Sequence, residues 1–149
     1  HLHDTNPGKR VRVIGTGNLS EDYIGYDTKG GDALCDLFPI GELFKSEVYQ
    51  LLEHFRDKGI IDEKHIDRVP SAGLWDGQTD EGELGHTYNS MEPVIKFILA
   101  GGNIDGDLQG ANVPTPAFEE LYHFVQKRHF ANKHKHEAPP NLSIRQFCD

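Results

Sequence analysis

The stretch KRVRVIGTGN, from Lys9 to Asn18, decides the fold class. Val11, Val13 and Ile14 make a β-branched run, and Gly15-Thr16-Gly17-Asn18 follows without a break. That pattern is a strand running into a glycine-rich turn. An apolar run of this kind belongs inside a parallel sheet covered on both faces, because a strand cannot pair with itself. Leu19 to Ile24 can then form a short helix, with Asn18 or Ser20 as its cap. The order strand, glycine turn, helix predicts an α/β fold in which ligands meet the backbone at the carboxyl edge of the sheet.

Working outward, Tyr26 to Asp36 (YDTKGGDALCD) is a loop broken by its Gly-Gly pair. Pro39 to Lys58 is predicted as a helix, since Leu43, Phe44, Val48, Leu51, Leu52 and Phe55 share one face and Gly59 stops it. A short helix or turn is expected over Asp62 to Asp67, and a long loop over Val69 to Gly85. Ser90 is the expected cap of a further helix with Val94, Ile95, Ile98 and Leu99 on its apolar face, ended by Gly101-Gly102. Asn103 to Pro114 reads as mobile. Thr115-Pro116 then opens a last helix, with Glu119-Glu120 in its first turn and Lys127-Arg128 in its last, which complements the helix dipole. One convincing strand among three or four helices is an incomplete sheet, and no internal repeat supplies another architecture. The remaining strands are expected upstream. The first residue is His1; a truncated reading frame is the favoured account, with a tag remnant and a processing product left open.

A chain of 149 residues with 36% apolar and 26% charged residues suits one globular domain. Residues 1–8 read as a loop and 133–149 as a flexible tail. No run approaches the roughly 20 apolar residues of a membrane span, and no signal-peptide pattern opens the chain. The net charge of −9 disfavours nucleic acid as a partner, but local cations and a metal ion can still hold one nucleotide. Cys35 and Cys148 share no motif and read as reduced thiols of a cytoplasmic protein, Cys35 being a small packed residue.

Several groups can carry chemistry, and each has a plainer reading beside it. Thr16 offers a hydroxyl, and Glu21 a hard oxygen of the kind Mg²⁺ prefers; an ordinary turn with a solvated glutamate is the alternative. Lys29, Asp32 and Asp36 flank a flexible turn and could bind phosphate and ribose, or form a polar surface loop. Lys45 is either a point charge for a nucleotide phosphate or a solvated cation paired with Glu42. The 70–85 segment holds four acids and the sole tryptophan, Trp75, which could also pack the loop onto the core. His129, His134 and His136 lack acids or cysteines at matching spacing, so a structural zinc is disfavoured.

The order of these motifs is more specific than any one of them. GTGN-x-SE, GY-x-TK-x-GD, P-x-GEL-x-K-x-x-V, PSA-x-LW-x-GQTDE-x-ELG and N-x-HK succeed one another between Gly15 and Lys135. From Val11 to Pro139 the chain resembles the NAD synthetase family, and the GQTDEGELG block resembles its ammonia-dependent branch. The resemblance implies a Rossmann-like, adenine nucleotide α-hydrolase fold, present as its C-terminal portion. It implies NAD biosynthesis: deamido-NAD is adenylated with ATP and Mg²⁺, pyrophosphate leaves, and ammonia displaces AMP. It places Thr16, Lys45 and Ser71 against ATP and Glu21 on magnesium. Lys29, Asp36, His134 and Lys135 fall against deamido-NAD, with Asp32 and Tyr26 as further neighbours of that substrate. No catalytic residue follows from it, and a homodimer does. The family's Ser-Gly-Gly-x-Asp-Ser pyrophosphate loop is absent, and His136 stands where many members carry Arg. The chain on its own is therefore expected to be inactive. Two rivals stay open: part of a glutamine-dependent enzyme, and a non-catalytic nucleotide-binding remnant. Because Pro139-Pro140 cannot continue a helix, Ala131 to Pro140 is expected to be mobile without substrate and to order over deamido-NAD.

Overall fold

Asn18 organises the start of the fold. Its side chain accepts from the Glu21 N–H at 3.2 Å, and Glu21 Oε2 returns to the Asn18 N–H at 3.2 Å. This reciprocal capping box starts α1 (Leu19–Tyr23) and decides the cap in favour of Asn18 over Ser20. The computed structural model describes Gly8, residues 10–104 and residues 115–137. The expectations for residues 1–7, for most of 103–114 and for the tail beyond 137 lie outside the described residues.

The residues predicted as a strand make one parallel bridge, Ile14 with Leu37. The Gly15 N–H bonds the Leu37 carbonyl and the Asp36 N–H bonds the Val13 carbonyl, both at 2.8 Å. No β-ladder forms among the described residues, so the expected parallel sheet is not seen. The physical reason is local. Val13, Ile14 and Leu37 are 47%, 53% and 56% exposed, and no further strand among the described residues lies against them. Gly15 sits under this bridge, where a Cβ would meet Cys35 Sγ and Phe38 Cε1 at 2.5 Å; only glycine lets the turn close. Cys35 is partly buried there, as expected.

The helices differ from the expectation mainly at their ends. The second, α2, is Lys45–Asp57, not Pro39 to Lys58. Residues 39–44 form turns instead, with the Gly41 N–H on the Phe38 carbonyl and the Leu43 N–H on the Ile40 carbonyl. A 3₁₀ turn at Glu63–His65 fills the expected short element. The long loop is interrupted by α3 (Asp80–Leu84), which Thr79 caps and left-handed Gly85 ends. Thr87, not Ser90, caps α4 (Tyr88–Leu99) by accepting from the Ser90 N–H at 3.1 Å. The last helix, α5 (Pro116–His136), starts at the Thr115 cap as read but runs two turns past Arg128. Residues 131–136 are therefore helical.

The core lies around α4, which packs on α1, α2 and α5. Met91, Val94 and Ile95 of α4 join Ile24 and Val125 of α5, all fully buried, with Tyr88 and Tyr122 beside them. Burial of each such aliphatic side chain contributes roughly 1.5–3 kcal/mol. Ile98 is only partly buried and Leu99 is exposed. The buried face is thus shifted toward the start of the helix from the one read off the sequence. Trp75 is exposed too, so it does not pin its loop to the core.

Candidate functional site

The glycine turn and the starts of α1, α2 and α3 converge on one cleft of about 280 Å³. Thr16, Glu21, Lys45, Ser71, Tyr26 and Asp32 lie on its walls, together with Asp80. A second cleft of about 230 Å³ adjoins it through Tyr26, Asp32 and Ala72, and adds Gln78, Glu83, Arg128 and Lys135. Six of the ten expected site residues share the first cleft, and Lys135 lines the second. Lys29, Asp36 and His134 line neither.

The first cleft is built on an ion pair. Lys45 Nζ lies 2.7 Å from Glu21 Oε1, with both side chains less than one-fifth exposed. The plain readings of these residues assumed a solvated glutamate and a Glu42 partner; the fold gives each the other. Lys45 Nζ also stands 5.4 Å from the centroid of the Tyr88 ring, a favourable cation–π placement. The Tyr88 hydroxyl donates to Asp80 Oδ2 at 3.0 Å. Burial, followed by the nearby charges of Glu21 and Asp80, raises the Tyr88 phenol far above its usual range. Asp80 Oδ1 is buried and has no hydrogen-bond partner.

Glu92 lies behind this pair, buried in α4. Its Oε1 accepts from the Ser20 hydroxyl at 2.9 Å and the Ser46 N–H at 3.0 Å, and its Oε2 accepts from the Ser46 hydroxyl. The Lys45 N–H in turn bonds Ser20 Oγ at 2.9 Å. Phe44, the residue at the start of α2, makes no side-chain cap.

The second cleft has its own network. Glu83 Oε2 accepts from the Tyr26 hydroxyl and from Gln78 Nε2, the latter at 2.6 Å. These donors hold the Glu83 carboxyl below its ordinary range. Burial and then the bond to Glu83 push the Tyr26 phenol up. Lys135 Nζ donates to the carbonyls of Gly25 at 2.6 Å and Asp27 at 2.5 Å, and sits 3.5 Å from Asp27 Oδ1. Lys29 Nζ bonds the His134 carbonyl at the end of α5, so it caps that helix. His134 is exposed, and its ring contacts the Ala131 carbonyl. Asp36 Oδ2 accepts from the Val13 N–H at 2.8 Å. His136 Nδ1 lies 3.3 Å from Asp22 Oδ1.

Asp80, Gln78, Glu83 and Arg128 were not singled out as site residues. Three of them lie in the GQTDEGELG block whose density of acids already marked it. Arg128 was read only as a dipole partner, and nothing in its spacing showed that α5 would carry it to the cleft.

The geometry has close counterparts among solved structures. The chain superposes on NMN synthetase from Francisella tularensis with a TM-score of 0.68 and 31% identity, over 95% of this chain and 51% of that one. It superposes on the NH3-dependent NAD synthetase of Campylobacter jejuni, solved with a nitrate ion, with a TM-score of 0.62 and 27% identity, over 95% and 50%. The fold thus places the chain beside the NMN and NAD synthetases, a Rossmann-like class. The NAD synthase family model matches residues 5–139, and the chain belongs to that family. Among its relatives, the NH(3)-dependent NAD(+) synthetase of Methanocaldococcus jannaschii is 38% identical over 132 residues, covering 89% of this chain and 48% of the relative. That of Methanosarcina acetivorans is 42% identical over 128 residues, covering 86% and 47%. The chain spans about half the length of the curated relatives it matches.

Proposed function

We propose that the chain is the C-terminal portion of an ammonia-dependent NAD synthetase, which amidates deamido-NAD at the expense of ATP. The observation that carries this reading is the grouping of Thr16, Glu21, Lys45 and Ser71 in one cleft, directly beside Tyr26, Asp32 and Lys135 in the next. The first group is the ATP end and the second the deamido-NAD end, with Tyr26 and Asp32 at their junction. Lys29, Asp36 and His134 are proposed to serve the same substrate from the rim.

The chemistry follows in two steps. A carboxylate oxygen of deamido-NAD attacks the α-phosphorus of ATP, the bond to the β-phosphate oxygen breaks, and pyrophosphate leaves. Ammonia then attacks the acyl carbon; the acyl–oxygen bond breaks, AMP leaves, and the nitrogen gives up a proton. Lys45 supplies a fixed positive charge where phosphate charge develops. Thr16 and Ser71 offer hydroxyls to the nucleotide.

The donor set fits magnesium. Mg²⁺ is commonly held by one or two carboxylates, with substrate phosphates and water completing its shell. Glu21 lines the cleft, and Asp80, a second carboxylate, lies on the same wall. Glu21 would hold the ion, which would supply charge neutralisation on the phosphates. Lys45, paired with Glu21 at 2.7 Å, would present its ammonium to phosphate beside that carboxylate. A homodimer in the cytoplasm goes with this reading.

A substrate panel tests it. The complete enzyme is supplied with [¹⁵N]ammonium or [¹⁵N]glutamine, and with deamido-NAD or nicotinate mononucleotide. The reading expects ¹⁵N in the carboxamide of NAD from ammonium and deamido-NAD, with one AMP and one pyrophosphate per turnover. Preference for glutamine would make the chain part of the glutamine-dependent branch. Preference for the mononucleotide would align it with the Francisella NMN synthetase. Absence of any amide would leave a non-catalytic nucleotide-binding module.

A further inference from the structure

We propose that Glu92 is a positioning residue for the ATP end of the cleft: it fixes Glu21 and Lys45 against each other by binding the serine adjacent to each. Glu21 belongs to α1 and Lys45 to α2, and their pairing at 2.7 Å requires the two helix starts to be held in register. Ser20 precedes Glu21, and Ser46 follows Lys45. Glu92, projecting from α4, receives the Ser20 hydroxyl at 2.9 Å, the Ser46 N–H at 3.0 Å and the Ser46 hydroxyl. The Ser20 hydroxyl also accepts from the Lys45 N–H at 2.9 Å. One buried carboxylate thereby joins three helices directly behind the ion pair.

The same bonds solve a problem in α2. The first turn of a helix leaves N–H groups without intrahelical partners, and the residue before it usually caps them. Phe44 cannot. The cap comes from other elements: Ser20 takes the Lys45 N–H and Glu92 takes the Ser46 N–H. A negative charge is also favourable at a helix N-terminus. Removing the carboxylate would leave two hydroxyl protons and one N–H without their acceptor, and the start of α2 would lose its register with α1. Reacting groups displaced by an ångström lose much of their effect.

The assignment of this end to ATP rests on the reading above, so the test separates the two claims. On the chain itself, the Lys45 ammonium is followed by ¹⁵N side-chain NMR, with Lys45→Met to assign the signal and Glu21→Gln to mark the unpaired position. In Glu92→Ala the signal should move to the unpaired position; in Glu92→Gln, which keeps an acceptor and the side-chain volume, it should stay near the wild-type one. In the complete enzyme, Glu92→Ala should raise the ATP and Mg²⁺ requirements by about tenfold or more, as loss of interactions confined to one substrate does. The deamido-NAD requirement should change less than about twofold. If Glu92→Ala does not fold, Ser46→Ala removes one bond and should shift the same readouts in the same direction by a few fold. A Lys45 signal unmoved in Glu92→Ala and Ser46→Ala overturns the proposal, as does an equal rise in both substrate requirements. If the wild-type enzyme neither uses ATP nor forms NAD, the functional reading fails while the NMR comparison still decides the positioning claim.

Discussion

Glu21 illustrates how much a single residue leaves open until the fold is known. Its oxygens face Lys45 and the Asn18 N–H, so one side chain both closes a capping box and lines the cleft. Glu21→Gln keeps the shape and removes the charge. In the complete enzyme NAD formation should fall by orders of magnitude, the scale of losing several kcal/mol of charge stabilisation on phosphate. Near-normal turnover at limiting Mg²⁺ would refute its role. Glu83 gives a pH signature. Its folded carboxyl titrates lower than the ordinary 4.5, mainly through the Tyr26 hydroxyl and then Gln78. A lowered carboxylate contributes stability that is present above the unfolded value and lost as pH falls through the folded one. Glu83→Gln should therefore melt below wild type at pH 7, and the gap should close as pH falls from the ordinary 4.5 through the lowered folded value. A gap independent of pH in thermal melts would show that the carboxylate charge is not what Tyr26 binds.

Among the elements, α4 and α5 carry the stability and most of the departures from the sequence reading. Ile95 is fully buried and Leu99 is 54% exposed, although both sit on the face expected to be apolar. Ile95→Ala should cost about 2–5 kcal/mol in denaturant titration and Leu99→Ala less than about 0.5 kcal/mol; equal costs would misplace the core. The start of α5 was legible because Thr-Pro is a local signal. Its end was not, because the last two turns are held by tertiary bonds. Lys29 caps the His134 carbonyl, and Lys135 reaches Gly25 and Asp27 from a last turn, residues 132–136, that is uniformly polar. Asn132 packs so close to Gly25 that a Cβ on the glycine would lie 2.1 Å from Asn132 Cβ, and Gly25 has φ +64°. Through His136, the segment expected to order over deamido-NAD is a helix end docked by Asn132 and Lys135, and residues 138–140 lie outside the described residues. Lys135→Ala should raise the deamido-NAD requirement and leave the ATP requirement nearly untouched. Equal effects on both, with a large drop in melting temperature, would mean that Lys135 serves only to dock α5.

At the level of the whole molecule, the parts legible in sequence were those set by neighbours in the chain: the glycine turn, a cap at Asn18 or Ser20, and the grouping of Thr16, Glu21, Lys45 and Ser71 that the family resemblance implied. The parts that were not legible depend on distant partners. The Glu21–Lys45 pair, the Glu92 junction and the approach of Arg128 each span more than twenty residues of sequence. The strand is the clearest case. Val13 and Ile14 have the pattern of a buried parallel strand, yet they make one bridge to Leu37 and stand exposed. The proposed account is that this edge receives the rest of the sheet, and that the ATP end is completed there by the family's pyrophosphate loop.

The direct measurement is NAD formation from deamido-NAD, ATP, Mg²⁺ and ammonium by two proteins: this chain alone, and this chain joined at its start to the amino-terminal half of the Methanocaldococcus jannaschii synthetase. The account predicts no turnover above background from the first and ammonium-dependent turnover from the second, abolished by Glu21→Gln. Turnover by the chain alone, or a folded joined protein that binds ATP and deamido-NAD but forms no NAD, would contradict it.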